Sequence, residues 1–176
     1  DGCDDIYISN DFRENDYLYI NNCDGTFSES LEEYIRYTSR FSMGSDISDI
    51  NNDSYPDIMV LDMLPQDEKV LKNSVGEDSY EIYKMKLGFG FNKQFTKNTL
   101  QLNNGNGSFS EISQLLDIHA TDWSWSTLLE DFDLDGNNDI YVTNGIVRRP
   151  NDLDYISFLS NEKIVGGLVQ NPDLDN

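Results

Sequence analysis

Two stretches of this chain come back at one fixed interval. DYLYINNCDGTFSE, from Asp16 to Glu29, returns as NTLQLNNGNGSFSE, from Asn98 to Glu111. DINNDSYPDI, from Asp49 to Ile58, returns as DFDLDGNNDI, from Asp131 to Ile140. Both intervals are 82 residues, and acidic strings that resemble each other by chance would not keep step in this way. A third copy of the acidic motif opens the chain, where DGCDDIY (Asp1 to Tyr7) matches DGNNDIY (Asp135 to Tyr141). A fixed period is the mark of a structure made by repeating one supersecondary unit. The chain divides into an incomplete unit over 1–37, a full unit over 38–118 and an incomplete unit over 119–176. It begins inside a motif and without an initiator Met, so a piece of a longer protein is expected.

Within each unit the pattern is strand-like. Ile6–Ser9, Ile58–Leu61 and Ile140–Thr143 are short β-prone runs that follow the acidic motifs. Leu100-Gln-Leu102 alternates, Asn104-Gly-Asn-Gly107 tolerates positive φ, and Ser108–Glu111 resumes the alternation, which together read as a hairpin. Asp24-Gly25 serves the first copy in the same way. The expected fold is all-β, a partial β-propeller of four-stranded antiparallel blades with short helical insertions. The longest insertion runs from about 63 to 97, where Asp78-Ser-Tyr-Glu81 resembles a capping box and Gly88 a stop. Tyr80, Tyr83 and Leu87 would then share one helical face, and a second helix is expected within 151–160.

The acidic motif carries the chemistry. DFDLDGNND sets Asp131, Asp133, Asp135 and Asp139 at positions one, three, five and nine, with the Asn137 carbonyl available at seven. Carboxylates at every second residue of a tight loop converge, and six to eight hard oxygens at roughly 2.4 Å are what Ca²⁺ takes. The second copy offers Asp49, Asn51, Asp53 and Asp57 with the Tyr55 carbonyl. It carries one charge fewer and has Ser54 in place of glycine, so a weaker site is expected there. The first copy keeps only Asp1, the Cys3 carbonyl and Asp5. An EF-hand is excluded, because position twelve is Val142 or Val60 inside a β-prone run instead of a glutamate entering a helix. A solvated acidic turn accounts for any one such stretch; two full copies at fixed spacing, each leading into a strand, favour cation binding.

These residues resemble the FG-GAP/VCBS repeats, the blades of integrin-α-type and bacterial β-propellers. SMGSDISDINNDSYPDIMVLDMLP and TDWSWSTLLEDFDLDGNNDIYVTNG are most similar to the bacterial branch related to cartilage acidic protein, which often carries an ASPIC/UnbV domain. The resemblance covers about residues 1–145. It implies Ca²⁺ in the strand-to-strand loop, a secreted or cell-envelope location, and a ring of about seven blades whose remainder would be the rest of the parent propeller.

Composition narrows the partners. Lys and Arg number 12 against 33 Asp and Glu, a net charge of −21, which repels nucleic acid and anionic membrane surfaces. No run approaches the length of a spanning helix, so no membrane insertion is expected. No nucleophile elbow or phosphate-cradling loop is present, and the lone His119 gives no zinc site. The expectation is therefore a non-enzymatic recognition or adhesion scaffold with a protein or glycan ligand. A polysaccharide-binding or polysaccharide-processing propeller is the alternative. Cys3 and Cys23 fall in loops at the same blade end, which permits a disulfide and leaves two separate thiols equally open. Trp123 and Trp125 stand two apart, as residues on one strand face do, and Arg148-Arg149 reads as solvated surface.

Overall fold

The computed structural model describes residues 2–12 and 14–161. Its first three strands, β1 (Ile6–Ile8), β2 (Tyr17–Asn21) and β3 (Phe27–Glu29), form one antiparallel sheet in that order. A single helical turn, α1 (Leu31–Tyr34), leads to β4 (Thr38–Ser39) and then to β5 (Gly44–Ser48) and β6 (Asp57–Leu61). The insertion holds α2 (Glu68–Lys72), α3 (Tyr80–Gly88) and β7 (Gln94–Phe95). After it come β8 (Thr99–Asn103), β9 (Phe109–Glu111), β10 (Ser124–Glu130), β11 (Asp139–Asn144) and α4 (Leu153–Leu159). The complete sheet is β5-β6-β8-β9, with every neighbouring pair antiparallel, and β10-β11 begins the next one.

The repeat is visible in the register itself. Tyr19 faces Glu29 and Asn21 faces Phe27 in the first hairpin, while Gln101 faces Glu111 and Asn103 faces Phe109 in the second. Each of these pairs recurs 82 residues on, so both copies fold with the same turn and the same strand pairing.

The three sheets stack, and β6 lies in the middle with all five of its residues buried. Its side chains alternate between neighbours, as the pleat requires. Ile58 and Val60 pack with Leu18, Leu31 and Ile35 of the first sheet's region. Met59 and Leu61 turn the other way, to Leu100 and Leu129 with Ile140 and Val142. An apolar run covered on both faces is what a central strand needs, which accounts for the unbroken Ile-Met-Val-Leu. Next to it, β10 approaches β5 so closely that a Cβ on Gly44 would lie 2.6 Å from the Trp125 carbonyl oxygen. The Leu129 N–H also donates across this contact to Asp46 Oδ2 at 2.8 Å.

Several local expectations shift. Ser79, not Asp78, caps α3 and accepts from the Ile82 N–H, because Asp78 is taken by Arg40 at 2.9 Å and Lys86 at 2.6 Å. Tyr80 is exposed, while Tyr83 and Leu87 are half-buried. The two tryptophans do not share a face. A bulge falls between Ser124 and Ser126, which buries Trp123 ahead of the strand and leaves Trp125 48% exposed. Arg149 is not free surface: its Nη2 donates to both oxygens of Asp122, at 2.6 and 2.5 Å. Two further features had no signal in the sequence pattern: α2, capped by Asp67, and a parallel pairing of β4 with β7.

Candidate metal centre

The turn between β10 and β11 is wound by its own first aspartate. Asp131 accepts from the N–H groups of Asp135 (3.0 Å) and Gly136 (2.8 Å), one on each carboxylate oxygen. Position six sits at φ +92°, which only glycine adopts without cost. This winding brings one oxygen each from Asp131, Asp133 and Asp139 within 4.8 Å of one another. Any two of these oxygens are close enough to share one ion at roughly 2.4 Å from each, and a small inward shift lets the third join. Asp139 is steadied by the Phe132 N–H, which donates to its Oδ2 at 3.2 Å. Asp135 stands apart: its Oδ1 accepts from Asn137 N and Nδ2, so this carboxylate closes the turn. The donor set is all hard oxygen, partly exposed to solvent, and suits a divalent cation of the Ca²⁺ kind.

The loop between β5 and β6 repeats this winding. Asp49 accepts from Asp53 N (3.0 Å) and Ser54 N (2.7 Å), and Ser54 holds φ +72° although it is not glycine. Asn51 stands where the other loop has Asp133, so the equivalent places carry two carboxylates and one amide oxygen. Asp53 accepts from Tyr55 N and Asn51 Nδ2, a turn-closing role like that of Asp135. Asp57 is fully buried and accepts from Ile50 N and Asn103 N. Burial pushes its carboxyl above the ordinary value and the charges of Asp53 and Asp49 add to this, against the pull of those two N–H groups. In the first loop Asp5 accepts from Asn21 N at 2.8 Å, the same bond one unit earlier. Cys3 there is joined to Cys23 by a disulfide, with Cα atoms 5.8 Å apart. Asp1 lies outside the described residues.

Asparagines do work that the acidic pattern alone did not reveal. Asn21 and Asn103 each tie the last aspartate of a loop to the next strand, and each donates its Nδ2 to the preceding carbonyl, Asp4 O or Pro56 O. The signal was their recurrence at the fixed interval. Asn52 and Asn138 link the two complete loops. Asn52 Nδ2 donates to Gly136 O (3.0 Å) and Asn137 Oδ1 (3.2 Å). Asn138 Nδ2 donates to Asp49 O and Ser48 Oγ, both at 2.8 Å. This pair breaks the repeat, for the equivalent places hold Leu134 and Pro56, so periodicity could not have found it.

Antiparallel sheets stacked in sequence order, with an acidic turn between β5 and β6 and another between β10 and β11, define a segment of β-propeller. The chain matches the FG-GAP-like repeat over residues 1–60 and 89–142, and it belongs to that family. The unmatched stretch in between falls mostly within the helical insertion. A search of curated proteins and another of solved structures found no match. The family's repeats build β-propeller scaffolds, generally non-enzymatic, typically occur in extracellular or envelope proteins, and often bind Ca²⁺. No helix among the described residues is long and apolar enough to cross a membrane.

Proposed function

We propose that the chain is a Ca²⁺-stabilised, non-enzymatic propeller segment of an extracellular or envelope protein, serving recognition or adhesion. The convergence of Asp131, Asp133 and Asp139 at a strand junction carries the reading. Without an ion these carboxylates repel one another; with one, the charge is neutralised and the β10–β11 junction is locked. Asp49, Asn51 and Asp57 are the corresponding donors of the second loop, with the position-seven carbonyls of Asn137 and Tyr55 as further oxygens. The Cys3–Cys23 disulfide supports an oxidising compartment. The polysaccharide-processing alternative gains no support from the insertion's two pairs of adjacent acids: Glu77 and Asp78 are both engaged by Arg40, while Asp67 caps α2 and Glu68 pairs with Lys72.

The test is thermal unfolding in EDTA and in millimolar Ca²⁺. Ca²⁺ should raise the melting temperature by several degrees, since about 2.7 kcal/mol is gained at a hundredfold excess over Kd. Asp133→Asn, which gives the third loop the donor set of the second, should reduce that gain. A melting curve indifferent to Ca²⁺ would refute the reading.

A further inference from the structure

We infer that the second and third acidic loops act as one coupled unit, in which a cation in either raises the affinity of the other through reciprocal asparagine contacts. The inference rests on the cation reading above and concerns how the two sites communicate.

Asn52 lies in the second loop between Asn51 and Asp53, and its amide holds the backbone of Gly136 and the side chain of Asn137 in the third. Asn138 lies in the third loop directly before Asp139, and its amide holds the Asp49 carbonyl at the start of the second. Each amide thus sits beside a donor of its own loop and grips a place beside a donor of the other. A cation that fixes Asp131, Asp133 and Asp139 thereby fixes Asn138 and the acceptors of Asn52. Part of the ordering required at the second loop is then already in place, which emerges as positive cooperativity. The equivalent places in the two loops hold no side-chain amide: Leu134, 87% exposed, stands for Asn52 and Pro56 for Asn138.

Charge acts in the opposite sense. The first ion adds +2 to the neighbourhood and weakens the attraction for the next. This effect is screened, with a Debye length of about 8 Å at 0.15 M salt, whereas short hydrogen bonds are not. Cooperativity should therefore increase as KCl is raised.

The experiment is equilibrium dialysis and titration calorimetry of the whole chain with CaCl₂ in 0.15 M KCl. The native chain should take up two ions, the second at least about fivefold more tightly than independent sites allow. Asn52→Gly/Asn138→Ala should still take up two ions but with independent affinities; glycine keeps the φ of +61° found at Asn52. As a cross-check that leaves both asparagines intact, Asp133→Asn should lower the affinity of the second loop as well. Two independent sites in the native chain, uptake of one ion only, or coupling that survives loss of both amides would overturn the inference while the cation reading stands. No Ca²⁺ uptake at all overturns both.

Discussion

Asp16 is fully buried, with the Tyr7 hydroxyl donating to it at 2.6 Å and the Asn10 N–H at 2.8 Å. Burial pushes its carboxyl up to about 6, against the pull of those donors and of Ser42, with the charge of Asp62 adding to the rise. The folded chain then holds this proton more tightly than the unfolded one, whose ordinary value is 3.8. Stability from this group is present below that ordinary value and is lost as pH rises through about 6. The next unit has Asn98 at the same place; it accepts the Asp62 N–H at 2.8 Å and carries no charge. In EDTA, native protein should gain about 1 kcal/mol between pH 7 and pH 5 from Asp16, and Asp16→Asn should lose that part of the slope. An unchanged slope in melts of the variant would show that the proton resides elsewhere. Such buried acids were hidden in the sequence, because an aspartate among 33 acidic residues gives no sign of where it lies. The acidic loops were legible for the opposite reason: the repeat displays one acidic spacing twice, and in the later copy Asp131 and Asp133 of the alternating set come together with Asp139. Ser54 shows the limit, for the sequence marks it as a departure from glycine, yet Asp49 draws its N–H into the same bond that Gly136 makes.

At the scale of elements, hairpins and the central strand were readable because turn chemistry and unbroken apolar runs act locally. The bulge at Trp125 was not, since it answers to the close approach of β10 and β5 and to the Trp125 Nε1 bond with Gly145 O at 2.8 Å. The pairing of β4 with β7 was equally hidden, with two residues on each side brought together across the insertion. Gly44 is the key to the β5–β10 contact. Added there, a methyl group meets the Trp125 carbonyl at 2.6 Å and Ser126 Cα at 3.2 Å, both backbone atoms that cannot swing aside. Gly44→Ala should cost about 1–3 kcal/mol and lower the melting temperature by several degrees. Gly88→Ala at the end of α3 is the control, because nothing lies within 4 Å of its added Cβ. Equal melting of the two variants would mean that the two strands are not held together so closely.

Across the whole molecule, stability is unevenly shared. The middle sheet is covered on both faces, whereas Ile6 and Ile8 at one end of the stack and Leu128 and Tyr141 at the other are 40% exposed or more. The position of Tyr141 is that of Met59 one unit earlier, which is wholly buried, so the same place in the repeat is core or surface according to what stacks on it. The first sheet, which packs on the core through Leu18, Tyr7 and Ile20 and leaves β3 exposed, depends on its covalent tie. Cys3–Cys23 joins the loop before β1 to the β2–β3 hairpin across a separation of 20 residues. By the chain-entropy argument a closure of that length is worth about 3 kcal/mol, mostly through the unfolded ensemble. Cys3→Ser/Cys23→Ser should therefore melt roughly 5–10 °C lower than the oxidised chain. The loss should be local before it is global: amide exchange should speed up in β1, β2 and β3 while β6 and β8 stay protected, since their cover comes from neighbours on both sides. Exchange that rises equally in all of these strands would instead make the stack a single cooperative unit, with the disulfide acting on the whole of it.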